Sequence, residues 1–312
     1  MQRVVITGGT GLVGMHLSAL LEKENYDIVH LSRSRKPGER FKSYRWEPET
    51  GYCDKGAFKD VDTIIHLAGA NIGEKRWTAG RKRTIIDSRT ETARLIYDAS
   101  VASGIRPDAF ITASGKDLYG SGISEKIFGE TDPPGTDFMA ETCRLWEAAA
   151  DPFEAAGVRV VKIRTALVLA AKGSAISKLM APARAGLIIR LGPGRQYFPW
   201  IHIDDLCNVY LKTVSDSTMS GPYNASAPDH VTHDMLMSVI ARQKHLPVFL
   251  PHVPEWLLHL ILGEMSVVLT SGSRVSPDRL IRSGFEFRYP DIDRALRAIT
   301  PALKSTPVYS YR

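Results

Sequence analysis

Val4-Val5-Ile6-Thr7 runs directly into Gly8-Gly9-Thr10-Gly11-Leu12-Val13-Gly14, a glycine spacing suited to holding phosphate. Gly9-x-Gly11-x-x-Gly14 and Gly8-x-x-Gly11-x-x-Gly14 both fit the first turn of a dinucleotide-binding βαβ unit, because an apolar β-branched strand precedes the glycines and a helical pattern follows them. One glycine makes the tight turn. Gly11 lets backbone N–H groups approach a pyrophosphate, and Gly14 lets the helix pack closely on the strand. Thr10, Leu12 and Val13 complete the cradle, where the free N–H groups and dipole of the helix start favour an anion.

The end of the next strand selects the nucleotide. After Asp27-Ile28-Val29-His30-Leu31 comes Ser32-Arg33-Ser34-Arg35-Lys36, with no carboxylate before Glu39. An NAD-selective site places Asp or Glu there for the ribose 2′-hydroxyl. A hydroxyl and a guanidinium instead suit a 2′-phosphate, which Arg grips as a charge-assisted fork. The expected cofactor is therefore NADP(H), with Ser32 and Arg33 as its selectors; the competing reading is an ordinary solvated basic loop.

Those residues need a sheet to position them. Apolar runs at Thr63-Ile64-Ile65-His66-Leu67, Ala109-Phe110-Ile111-Thr112-Ala113-Ser114 and Arg159-Val160-Val161-Lys162-Ile163-Arg164 alternate with helical patterns over 83–103 and 137–156. This reads as a doubly wound α/β Rossmann sheet. After Arg164 the pattern turns to Gly- and Pro-rich segments and short helices near 232–244, 254–263, 277–282 and 291–299. We expect a cofactor domain over 1–168, rejoined by 198–226, and a smaller, mainly helical substrate-side domain over 169–197 and 227–312. The apolar stretch 256–269 is too short and interrupted to span a bilayer and reads as a core helix pair.

The 312 residues are 44% hydrophobic, with a net charge of +6, enough apolar content for a sizeable core and a charge favouring small anions. The basic residues are scattered apart from the run after the second strand and 75–83, so no nucleic-acid or membrane partner is expected. Three distant cysteines, Cys53, Cys143 and Cys207, suggest neither a disulfide framework nor a metal site and fit a cytoplasmic setting.

By these motifs the chain resembles the extended short-chain dehydrogenase/reductases, in the NAD(P)-dependent epimerase/dehydratase-like branch that includes nucleoside-diphosphate-sugar epimerases. The resemblance runs through residues 8–14, His66-Leu67-Ala68-Gly69-Ala70-Asn71-Ile72, Arg76-Trp77, Ser88-Arg89 and Tyr119-Gly120. It continues through Trp146-Glu147, Phe198-Pro199-Trp200-Ile201-His202-Ile203-Asp204-Asp205-Leu206, Tyr223-Asn224-Ala225, Gly263-Glu264 and Gly284-Phe285. It implies that Leu67, Ala68 and Gly69 line the adenosine side of the cofactor, that Arg89 approaches its phosphates or ribose, and that Ser114, Arg164 and Thr165 lie toward the nicotinamide.

One departure bears on chemistry. Members of the family use a Tyr and a Lys four residues apart on the helix after the Ser/Thr strand, where the Lys lowers the Tyr pKa for proton exchange. Here that helix carries Met139 and Cys143 at the two positions if Glu147 aligns with the glutamate that often follows them, and Gly115 stands where the Ser/Thr is usual. Ser114, Tyr119 and Lys116, with Glu141 beside them, are the substitute candidates for proton transfer. Two function classes stand. One is an NADP(H)-dependent oxidoreductase or epimerase acting on a sugar nucleotide or other small carbonyl or hydroxyl substrate; the other is a catalytically silent NADP(H) sensor or partner-binding protein.

Overall fold

Val4, Val5 and Ile6 are completely buried, as a strand covered by helices on both faces requires. In the computed structural model, which describes residues 1–34, 38–184, 186–246 and 252–304, that strand, β1 (Arg3–Thr7), lies inside an eight-stranded sheet. The others are β2 (Asp27–Ser32), β3 (Lys42–Glu47), β4 (Tyr52–Cys53), β5 (Thr63–His66), β6 (Ala109–Gly115), β7 (Arg159–Thr165) and β8 (Gly221–Ala225). The order is β8-β7-β6-β5-β1-β2-β3-β4, parallel except for the β3–β4 edge pair. Strand order reverses between β1 and β5, and the crevice at their carboxyl ends is where such sheets take ligands.

Helices α1 (Leu12–Lys23), α2 (Ala79–Ala102), α3 (Phe138–Ala148) and α4 (Ile203–Ser215) cover the sheet. Leu17 and Leu21 of α1 and Leu206 and Tyr210 of α4 pack on Ile6, Ile65, Ile111 and Ile163. On the opposite face Ala93 and Ile96 of α2 meet Val5, Ile64 and Phe110, and Phe153 stacks on Phe110 with ring centroids 3.9 Å apart. A further core in the C-terminal region gathers Phe198, Trp200, Leu236, Ile240, Leu296 and Ile299. Buried Asp205 ties that region to α4 by accepting the N–H groups of Arg288 and Tyr289 at 2.9 and 3.0 Å.

The Rossmann class and the small helical C-terminal region agree with the sequence reading, and several elements differ in extent. Helix α2 starts at Ala79 rather than 83, because the Thr78 hydroxyl accepts the Arg81 N–H at 3.2 Å. The helix expected over 137–156 is two, α3 and Asp151–Ala155, since Pro152 lacks the N–H and crowds the carbonyl needed to continue. The expected core helix pair at 256–269 is a correction: in the Glu255–Leu262 helix only Leu258 is buried, while Trp256 and Leu260 are 68% and 66% exposed. Only one side of that helix meets the body of the protein. Among the described residues no helix is long and apolar enough to cross a membrane.

Candidate functional site

The glycine turn closes with Gly11 N–H donating to Gly8 O at 3.0 Å. Gly8 adopts φ +68°, and a Cβ there would lie 3.0 Å from the backbone of Leu67 and Ala68, so the turn sits directly on the end of β5. A Cβ on Gly14 would overlap the Gly8 carbonyl and come within 2.6 Å of Gly9 Cα. Gly11 differs. It heads α1 with no capping side chain and φ −77°, and its Cβ position meets only Gly8 O, at 3.2 Å. The first N–H groups of α1 are thus left to a ligand. Gly9 is fixed from below by the His30 ring, whose Nε2 bonds Ser18 Oγ at 2.8 Å, and Ser18 in turn donates to Gly14 O at 2.7 Å.

Where β1 and β5 end side by side, Thr7 Oγ1 accepts the N–H groups of Leu67 and Ala68 at 3.2 Å each and meets His66 Nδ1 at 2.8 Å. His66 Nε2 lies 3.3 Å from Arg89 O, so the ring fits as the Nε2–H tautomer, accepting from Thr7 and donating to α2. Burial lowers its pKa to about 4, against a weaker opposing effect of the Arg89 carbonyl. A base whose folded pKa lies below its unfolded value destabilises the fold as pH falls. Stability should decline from pH 6.5 and level off near pH 4, with His66 contributing about 3 kcal/mol of the loss. Urea unfolding of wild type and His66→Gln across that window measures it: the variant's curve should be flatter.

Arg89 is 5% exposed and no carboxylate pairs with it among the described residues. Its guanidinium donates to Ile85 O at 2.8 Å, Ala70 O at 3.2 Å and, weakly, Ser88 Oγ at 3.4 Å, while Nε is orphaned. It lies 4.7 Å over the Trp146 ring and against Gly69, where a Cβ would stand 3.0 Å from its Cζ. Burial lowers its pKa to about 10, partly opposed by Cys143 and reinforced by Arg81, so it is a cation at neutral pH without a counter-charge. Ser32 turns its hydroxyl to Ser34 O at 2.8 Å, and Arg33 is exposed; Arg35 and Lys36 lie outside the described residues.

Ser114, Tyr119 and Arg164 come together, but in a closed network. Ser114 Oγ donates to Glu147 Oε1 at 2.8 Å; Arg164 donates Nε to the same oxygen at 2.8 Å and Nη2 to Oε2 at 3.0 Å. Arg164 Nη1 also donates to Tyr119 OH and Glu130 O, each at 2.9 Å, and Tyr119 OH donates to Asn224 Oδ1 at 2.7 Å. Asn224 Nδ2 continues to Ser276 O at 3.1 Å. Burial raises the Tyr119 pKa, with Arg164 opposing it. The phenol therefore has a donor and an acceptor already and is 6% exposed. Thr165 is half-buried and bonds Ile163 O at 3.3 Å.

Lys116, the remaining candidate, is partly exposed just beyond β6, with its Nζ 2.5 Å from Asp117 Oδ1. Glu141 pairs on the surface with Arg144 at 2.7 Å. Cys143 Sγ would stand 3.2 Å from a Cβ on Gly115, so α3 does present that position to the end of β6. Burial, with Asp117 and Glu147 adding to it, pushes the Cys143 thiol up to about 12. One turn earlier Met139 packs with Trp77 and Ile85. Beside it, between α3 and the Glu255–Leu262 helix, lies a cavity of about 330 Å³.

Sequence reading missed Thr7, His30, His66, Glu147's anchoring role and Asn224. For Thr7 and His66 the available signal was a polar side chain closing a largely apolar strand, and for His30 a histidine inside one. Trp200 and Phe198 are core residues, and Tyr197 bonds Glu125 at 2.8 Å.

Fold and turn together define a dinucleotide-binding α/β protein of the extended short-chain dehydrogenase/reductase type. Residues 4–226 match the NAD dependent epimerase/dehydratase family and residues 253–299 a domain of unknown function, DUF1731. The chain belongs to that epimerase/dehydratase family. It is 34% identical over 295 residues to the epimerase family protein YfhF of Bacillus subtilis, covering 94% of this chain and 96% of that one. The structure of human epimerase family protein SDR39U1 with NADPH superposes with a TM-score of 0.85 at 27% identity, over 98% of this chain and 100% of that chain. A nucleoside-diphosphate sugar epimerase from Corynebacterium glutamicum gives 0.76 at 31% identity, over 95% of this chain and 57% of the other.

Proposed function

We propose that the protein is an NADP(H)-dependent oxidoreductase or epimerase of this family that works on a small carbonyl or hydroxyl substrate without the usual Tyr and Lys pair. The observation that carries it is the anion cradle at the β1–β5 crevice, an uncapped α1 behind Gly8 and Gly11, together with a buried Arg89 packed against Gly69 just beyond β5 with no carboxylate partner among the described residues. An unpaired buried cation is costly alone and is relieved by an anionic ligand. The residues present fit a dinucleotide, with the N–H groups of Leu12 and Val13 toward the pyrophosphate, Leu67, Ala68 and Gly69 along the ribose, and Ser32 and Arg33 toward a 2′-phosphate. The NADPH in the human relative's structure supports the phosphorylated form.

A nicotinamide bound there would supply hydride exchange with a substrate carbon. The chain's own part is to position and to move protons. Ser114, Glu147, Arg164 and Tyr119 form a rigid frame at the nicotinamide end, which replaces the reading of Tyr119 as the donor because its phenol is already satisfied. Lys116, partly exposed and ion-paired with Asp117, is the candidate that takes the proton-exchange role in this reading. A second reading, cofactor binding without turnover, is favoured by Met139, packed on Trp77 and Ile85, and by the raised Cys143 thiol beside Gly115.

In calorimetry Arg33→Ala should weaken NADPH by about 1.5–3 kcal/mol, the range of a charged hydrogen bond, and leave NADH nearly unchanged. Equal losses would overturn the NADP assignment. Single-turnover absorbance with small carbonyl compounds and sugar nucleotides separates the two readings. An enzyme should be slowed by about 10²–10⁴ in Lys116→Met, whereas a complete lack of redox change in wild type selects the silent protein.

A further inference from the structure

Trp256, Leu260 and Ile261 stand 68%, 66% and 59% exposed on the Glu255–Leu262 helix. At about 100° per residue these three and half-buried Leu257 share a sector of about 140°. Buried Leu258 turns to the protein instead, and Glu255 and His259 turn to the edge of the cavity. The outward sector of the helix therefore carries no polar side chain. It leaves about 400 Å² of apolar side chain in water, the size of the largest patch a soluble monomer ordinarily keeps. That is about half of the ~800 Å² per partner that a stable protein interface buries. A helical ridge of this size is too small to hold a second copy by itself, whereas insertion among lipid headgroups needs only a few bulky apolar side chains beside cationic ones.

The cations are present. Residues 75–83 hold Lys75, Arg76, Arg81, Lys82 and Arg83. Arg76 donates Nη2 to Leu260 O at 3.3 Å and lies against Gly263, where a Cβ would stand 3.2 Å from the same nitrogen, so the run borders the C-terminal end of the helix. Lys82 pairs with Glu264, and Arg81 pairs with Glu74 at 2.9 Å, which neutralises both carboxylates. Lys75, Arg76 and Arg83 are exposed and have no carboxylate partner among the described residues. Scattered along the chain, the basic residues gave no reason to expect a membrane partner; folding sets this run against an apolar ridge.

We propose that this face docks on an anionic phospholipid bilayer. Trp256, Leu260 and Ile261 enter the headgroup region, and Lys75, Arg76 and Arg83 meet the lipid phosphates beside them. Apolar insertion and charge attraction act together, and neither alone holds a protein firmly at a membrane surface. Docking is separate from the proposed cofactor chemistry, since none of these residues belongs to the glycine turn or to the frame around Glu147.

Cosedimentation and tryptophan fluorescence of the full chain test it, with vesicles of phosphatidylcholine alone and of equal parts phosphatidylcholine and phosphatidylglycerol. Trp46, Trp77, Trp146 and Trp200 are buried, so among the five tryptophans Trp256 is the one open to a vesicle. Emission should shift to the blue with the mixed vesicles and stay unchanged with phosphatidylcholine. Trp256→Phe should keep binding within about twofold and lose the shift. Trp256→Gln/Leu260→Gln should weaken binding by about tenfold or more, the value of one large apolar side chain buried. Lys75→Gln/Arg83→Gln should weaken it by about twentyfold, near fivefold for each charge, and high salt should do the same to wild type. All four of these positions are exposed, so Tm and NADPH affinity should match wild type in every variant. No binding to the mixed vesicles, equal binding to phosphatidylcholine alone, or binding that survives both double variants would each overturn the proposal. A wild-type dimer in light scattering that turns monomeric in Trp256→Gln/Leu260→Gln would overturn it as well and give the ridge to a second copy. Loss of NADPH binding by wild type, by contrast, sinks the proposed function and leaves the vesicle result standing.

Discussion

Gly14→Ala should unfold the phosphate turn, while Gly11→Val should empty it and leave the fold standing. The added methyl at Gly14 would overlap the Gly8 carbonyl and crowd Gly9 Cα at 2.6 Å, and both are backbone atoms that cannot rotate away. Helix α1 must then retreat from β1. That costs about 3 kcal/mol, the upper range for overpacking, and displaces the N–H groups that would meet a pyrophosphate. At Gly11 the backbone conformation is open to any residue and a Cβ meets only Gly8 O at 3.2 Å, so the new side chain points where a ligand would lie. Thermal unfolding and NADPH calorimetry on the pair give a crossed result: a lowered Tm for Gly14→Ala, and a near-normal Tm with no binding for Gly11→Val. A folded Gly11→Val that binds NADPH normally would place the cofactor outside this turn.

The same contrast shows which parts of the molecule were readable from the chain. β1, β2, β5, β6 and β7 announced themselves because strands buried on both faces are nearly unbroken apolar runs. β3 did not: Lys42-Ser43-Tyr44-Arg45-Trp46-Glu47 buries only Ser43 and Trp46, and its remaining polar residues mask the alternation. The short edge strand β4 has too few residues to show any period. The glycine turn was readable because its constraints are local, arising within seven residues. The frame around Glu147 was not, since its members are brought into bonding distance only by the register that sets Ser114 beside Arg164 and Arg164 beside Asn224. Trp256 and Leu260 misled for a related reason: hydrophobicity predicts burial only where another element arrives to cover it, and periodicity does not say which face will be covered.

That frame yields the other large effect. Arg164→Ala should destabilise the protein by about 3–5 kcal/mol, the cost of stranding one member of a buried ion pair. Burial opposes the Arg164 charge, but its two bonds to Glu147 outweigh that and raise its pKa, so the guanidinium is ionised in the fold. Without it, the Glu147 carboxylate keeps only the Ser114 hydroxyl, and Tyr119 and the Glu130 carbonyl lose their donor. Removing both charges should be far milder. Arg164→Met with Glu147→Leu replaces the pair by apolar side chains, and such replacements are often neutral in stability. The double variant also decides whether Arg164 is frame or cofactor contact. If it is frame, the refilled protein binds NADPH with nearly wild-type affinity; if the guanidinium touches the cofactor, affinity falls by about tenfold or more, a loss of at least 1.4 kcal/mol, even though the fold has recovered. Urea unfolding reads the first quantity and calorimetry the second, so a stable double variant that has lost NADPH would return Arg164 to the cofactor site and leave Ser114 and Tyr119 to hold the strand ends without it.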